Sequence, residues 1–156
     1  MEPVNDNMQK YYNYREQMGR LKKALNQKFY LEAIFIEYAI MEDRLESILR
    51  HAGKWNPKPG KYVDIGAKLT QVNNLIKSKN SIAKKYLNTE LTDGIRSWKN
   101  NRNVLIHALL KQQLHTEDLQ AFAEEGQVLV KALCSKATSF RRAIEKKQQV
   151  EENKNG

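Results

Sequence analysis

Cysteine is almost missing from this chain: Cys134 stands alone. A single thiol excludes an internal disulfide framework and suits a reducing compartment. With no recognisable signature around it, Cys134 reads as helix packing beside Leu133 rather than as a nucleophile. Breakers are scarce too, with 7 glycines and 3 prolines in 156 residues. That shortage argues against a strand-and-turn fold and for long helices. No apolar run approaches the roughly 18 residues needed to span a bilayer. The opening stretch MEPVNDNMQK has neither a basic nor an apolar signal region, so the expected localisation is cytoplasmic. Glycine-rich phosphate loops, H-E-x-x-H and C-x-x-C are also missing, and there are 3 histidines. A P-loop, a dinucleotide fold and a dedicated zinc site therefore lack support, and neither cofactor nor metal is expected.

What the chain does have is positive charge. Lysine and arginine total 27 against 18 acidic residues, for a formal net charge of +9. A surplus of this size favours polyanionic partners, of which nucleic acid is the commonest. With 40% hydrophobic residues the chain can build one real core. The spacing predicts a single helical domain over residues 1–150 and a frayed tail at 151–156, where apolar residues run out.

Apolar periodicity places the helices. Tyr11, Tyr14, Met18, Leu21 and Leu25 predict a helix over 7–27, capped by Asn5 or Asp6. Tyrosines at that spacing read as core or bundle edge, although three of them beside a basic LKK could also stack bases. Residues 29–51 are the most apolar stretch, with a seam through Tyr30, Ile34, Met41, Leu45 and Ile48, so this helix should be central. Gly53 and the two-proline loop after it end it. A third helix is expected over about 62–78 (Tyr62, Ile65, Leu69, Val72, Ile76), and a short basic one around 81–88. A fifth spans 90–112, and the last begins near Thr116 with a seam from Leu119 to Ile144. The expected fold class is all-α: an up-down bundle of four long helices plus one or two short ones.

Two charges sit on apolar seams. In LTDGIRSWKNNRNVLIHALL the seam Leu91, Ile95, Trp98, Leu105, Leu109 has one irregular position, Arg102. On the central helix the irregular position is Glu37. A charge on a core stripe costs several kcal/mol unless it is paired, so either the bundle neutralises Arg102 internally or the seam opens there onto a site. His51 and His115 stand at helix ends and read as structural. His107 follows Arg102 by five residues and Asn103 by four. Asn103 and His107 therefore share a face, while Arg102 and His107 lie about 140° apart around the helix. Convergence on one ligand then needs a groove rim, a local distortion or a second subunit.

These residue types suit phosphodiester chemistry. Arginine offers a fixed fork of donors to phosphate, histidine trades protons near neutrality, and asparagine can orient the histidine or bond a ribose. With no ligand cluster beside them, such a reaction would be metal-independent, and RNA supplies the internal 2′-hydroxyl nucleophile it needs. Arg96 and Lys99 on the same helix, and Lys84 and Lys85 on the short basic one, are candidate RNA contacts.

The run Arg102-Asn103-Val104-Leu105-Ile106-His107, preceded by the aromatic Trp98, resembles the motif of the HEPN superfamily: an arginine, a polar residue, and a histidine four to six residues after the arginine. The preceding LEAIFIEYAIMED is similar to the acidic helix of many members, with Glu37 the best match and Glu42 and Asp43 its rivals. The resemblance implies a homodimer whose two motifs face one cleft, and a metal-independent endoribonuclease of toxin or antiviral-defence type, often restrained by a partner antitoxin. It implies His107 as general base or acid, Arg102 stabilising developing charge, and Asn103 as orienter, with Glu37 supporting. The competing expectation is a non-catalytic, nucleic-acid-binding or adaptor module in which Arg102 and Glu37 pair internally. DNA or membrane binding has no supporting motif.

Overall fold

The computed structural model describes residues 7–156, so the candidate caps Asn5 and Asp6 lie outside the described residues. Among those described, every regular element is a helix: α1 (Asn7–Asn26), α2 (Tyr30–His51), α3 (Ile65–Lys77), α4 (Ser81–Tyr86), α5 (Thr89–Ala108) and α6 (Thr116–Asn155). None of them is long and apolar enough to cross a membrane.

Helix starts follow local side-chain chemistry. Asp64, Asn80 and Asn88 each accept a backbone N–H from three residues on, at 2.7, 2.9 and 2.8 Å, and so cap α3, α4 and α5. Two ends share another geometry. After α2, Gly53 at φ 69° lets its own N–H reach Arg50 and that of Lys54 reach Leu49. After α1 the same pair of bonds runs from Lys28 to Leu25 and from Phe29 to Ala24. There the left-handed position is filled by Lys28 at φ 63°, where a side chain costs about 1 kcal/mol that glycine avoids.

The centre of the molecule is α2, which packs on α1, α3, α5 and α6. Its expected seam is buried in full: Tyr30, Ile34, Glu37, Met41, Leu45 and Ile48. Each such aliphatic side chain contributes about 1.5–3 kcal/mol of apolar burial. Facing it are Val130, Leu133, Ala137 and Phe140 of α6, and Ile95 and Trp98 of α5, in one core. The opposite side of α2 is different, because Leu31 and Phe35 are exposed on it.

Four expectations need correction. Tyr62 is not a seam residue: Asp64 starts α3 after it, and the exposed ring sends its hydroxyl to Glu42 at 2.8 Å. Tyr11 and Tyr12 are exposed rather than core, pairing edge to face at 5.8 Å. The helix α5 ends at Ala108, short of residue 112, in a turn closed by bonds from Lys111 and Gln112 to the Ala108 carbonyl. Finally, helix is not lost with the apolar residues near 150: α6 continues to Asn155. Residues 141–155 contain neither glycine nor proline and are rich in glutamate, lysine and glutamine, all good helix formers.

Candidate functional site

Trp98 anchors the region. It is fully buried, stacks parallel on Phe122 of α6 at 4.9 Å, and donates its indole N–H to the Phe122 carbonyl at 3.2 Å. Further along α5 the burial becomes partial, with Ala108 the one residue of the helix after Trp98 that is buried. Arg102, Leu105 and Leu109 are half-buried, and the seam opens from position 102 onward.

Arg102 sits over the Tyr38 ring of α2, its guanidinium carbon 4.0 Å from the ring centroid. Such a cation–π contact is worth about 0.5–2 kcal/mol. Its Nη1 donates a long 3.5 Å bond to Asn103 Oδ1, while its Nε is buried without a partner. Asn103 and His107 are exposed, one turn apart in the last turns of α5. No hydrogen bond or ion pair among the described residues joins His107 to either, so the last turns of α5 carry all three groups but link only Arg102 and Asn103.

Glu37 is placed differently. It is wholly buried, and neither carboxylate oxygen has a hydrogen-bond partner among the described residues. Burial alone pushes its pKa up to about 9, so the carboxyl is neutral at physiological pH. Space for it comes from Gly126 of α6. A Cβ there would collide with Glu37 Oε1 and Cδ and come within 2.9 Å of Trp98 Cζ2. Glu37 and Arg102 form no ion pair, although Tyr38, the ring under Arg102, is the next residue after Glu37. The rival acids are engaged elsewhere. Glu42 takes the Tyr62 hydroxyl and Lys68 Nζ at 3.1 Å, and Asp43 pairs with Arg44.

Of the four expected RNA contacts, two stand near the motif. Arg96 donates to Thr70 of α3 at 3.1 Å, and Lys99 Nζ lies by Gly66 at the start of α3. Lys84 and Lys85 belong to α4, which packs against the other half of α6. No group of three or more histidine, cysteine, aspartate or glutamate side chains clusters among the described residues. His51 caps its own helix end through Nδ1 and the Ser47 carbonyl at 2.8 Å, whereas His115 begins α6 without a capping bond. Cys134 is half-buried, receives the Tyr14 hydroxyl at 2.9 Å, and has its thiol pKa raised by burial, all consistent with packing.

Periodicity does not reveal that several apolar side chains in and near the motif are exposed. Val104, Ile106 and Leu110 are exposed, Leu110 completely, and so are Leu31 and Phe35, which share the α2 face of Tyr38. Unbroken apolar character around α2 reads as burial on all sides, and here Leu31 and Phe35 on one side stay exposed.

The protein is an all-helical chain of six described helices with a polar, aromatic-backed opening at the end of α5. Neither a known family's sequence profile, nor a characterised protein, nor a solved structure matches it.

Proposed function

We propose that this chain is a metal-independent endoribonuclease of HEPN type, a four-long-helix bundle that acts as a homodimer. The observation that carries the reading is the placement of Arg102, Asn103 and His107. Asn103 and His107 are exposed near one helix end, and the half-buried arginine rests on Tyr38. The exposed Leu31, Phe35, Val104 and Ile106 beside them support a second copy docking there. One copy offers one histidine, and two copies offer a base and an acid.

In the reaction, His107 of one copy accepts the 2′-hydroxyl proton as that oxygen bonds to phosphorus. The P–O5′ bond breaks, and the leaving 5′-oxygen takes a proton from the second copy's histidine. Arg102 places donors against the negative charge gathering on the non-bridging oxygens. Products are a 2′,3′-cyclic phosphate and a 5′-hydroxyl. A toxin or defence role, with an antitoxin-like partner in the cytoplasm, belongs to the same proposal.

The test is incubation of purified protein with RNA in EDTA, with end-group analysis. Cleavage to those termini is expected, and His107→Ala should abolish it while leaving stability within about 0.5 kcal/mol, because the side chain is exposed. Undiminished cleavage by the variant refutes the assignment. The apolar rim also favours a second reading, a non-catalytic adaptor that docks a partner protein on this face. That reading gains if the wild type binds RNA but never cuts it.

A further inference from the structure

The far half of α6 carries a groove that the motif does not use. Between α4 and the last turns of α6 lies a cleft of about 540 Å³ with a floor that includes Ile82, Tyr86 and Val150. Its rim is basic: Lys85 from α4, and Lys146, Lys147 and Lys154 from α6, against one carboxylate, Glu151. None of these four lysines is in an ion pair among the described residues. A groove on the α1–α2–α6 flank is the opposite case, since Arg44, Arg50 and Arg141 there pair with Asp43, Glu46 and Glu145.

The register of α6 makes this a built feature. Ala143, Lys147, Val150 and Lys154 follow at steps of 4, 3 and 4, so they form one helical face turned toward α4. That face is kept helical beyond Phe140, the last fully buried side chain. Four like charges around one cleft repel one another, and a linear anion relieves that repulsion. Lysine is a strongly hydrated point charge suited to sequence-independent phosphate contact, whereas the paired arginines elsewhere are already committed. Tyr86 adds an aromatic ring to the floor, with Lys85 Nζ 5.3 Å from its centroid. Cations that track a strand, together with a ring on which a base can stack, are what single-stranded nucleic acid needs.

We propose that the α4–α6 groove is a binding site for single-stranded RNA, with phosphates along Lys85, Lys146, Lys147 and Lys154 and one base against Tyr86. It lies remote from the motif, since Gly126 and Lys147 are separated by about 30 Å of straight helix. The groove therefore anchors RNA away from the phosphodiester that Arg102 and His107 address. The assignment rests on the ribonuclease reading only in choosing RNA over other polyanions.

The test uses the His107→Ala chain, so that RNA stays intact, and a labelled unstructured RNA followed by anisotropy over a salt series. Lys146→Glu, Lys147→Glu and Lys154→Glu together should weaken binding at least about tenfold, and the log K against log salt slope should flatten by about 2, at roughly 0.7 per lost phosphate contact. The neutral triple Lys→Gln should flatten the slope equally, which covers a reversal variant that folds poorly. Lys22→Glu, Lys23→Glu and Lys28→Glu change net charge as much on the α1 end and should leave the slope close to the parent's. Tyr86→Leu should lower affinity severalfold at unchanged slope. Equal losses from both glutamate triples, or none from either, overturn the proposal. So does competition by polyglutamate or anionic vesicles as effective as that by RNA. If wild-type protein cuts no RNA but the groove variants lose affinity as stated, the enzyme reading falls and the groove stands.

Discussion

Replacing Glu37 by glutamine should make the protein more stable at alkaline pH and change little in acid. The carboxyl is wholly buried with no partner, and burial raises its pKa from 4.5 to about 9. Between those values the folded chain keeps a proton that the unfolded chain gives up. Stability therefore falls as pH rises through that window, and the loss levels off above about 9. Each pH unit inside the window is worth roughly 1.4 kcal/mol, so moving from pH 5 to pH 8 should cost the wild type about 4 kcal/mol through this one group. Glutamine has the same shape and cannot ionise, so its own burial cost is nearly constant with pH. Urea denaturation of both proteins at several pH values reads the difference directly. The two curves should converge toward pH 5 and separate by several kcal/mol at pH 8. Parallel curves would refute the argument. They would mean that the ionised carboxylate finds a cation inside the fold, with Arg102, one turn beyond Trp98, the group in position to move.

Three further outcomes follow from the packing. Gly126→Ala should destabilise by about 1–3 kcal/mol in thermal melts despite the better helix propensity of alanine, because the new methyl meets Glu37 and Trp98. Combining it with Glu37→Ala should recover much of that loss, and strict additivity would count against the contact. Lys28→Gly should stabilise by about 1 kcal/mol, since the position holds a left-handed φ of 63° in a helix-ending turn that glycine adopts freely. No gain in the urea midpoint would contradict that reading. Arg102→Ala should lose only about 0.5–2 kcal/mol, the value of its contact with Tyr38, yet lose RNA cleavage. Global unfolding of this variant would instead revive the idea of an internal Arg102–Glu37 pair.

Helix placement was legible because it follows from periodicity and capping side chains. The seam of α2 and the breaks around Gly53 and residues 78–80 appear where apolar spacing and turn residues put them. Glu37 and Arg102 were both visible as charges on apolar stripes. Their environments were not, because whether two seam charges meet depends on helix rotation and crossing, which one-dimensional spacing leaves free. A rotation that sets Arg102 on Tyr38 also leaves Glu37 beneath, against Gly126. Gly126 falls on the α6 seam by spacing, and only its neighbours show that Glu37 and Trp98 fill the space beside it. The helical continuation to Asn155 is not legible from apolar spacing, because it rests on the intrinsic helical preference of lysine, glutamine and glutamate rather than on a buried face.

The glycine opposite Glu37 has a consequence for how the longest helix docks. A helix can slide along its neighbours by one turn and still present a plausible apolar face. Here such a slip would set Phe122 or Val130 of α6 where Gly126 now stands. Neither leaves room for a carboxyl beside an indole. The notch therefore acts as an index mark: α6 fits α2 and α5 at one setting, and the end of α5 that bears Arg102 and His107 is aligned by the same fit.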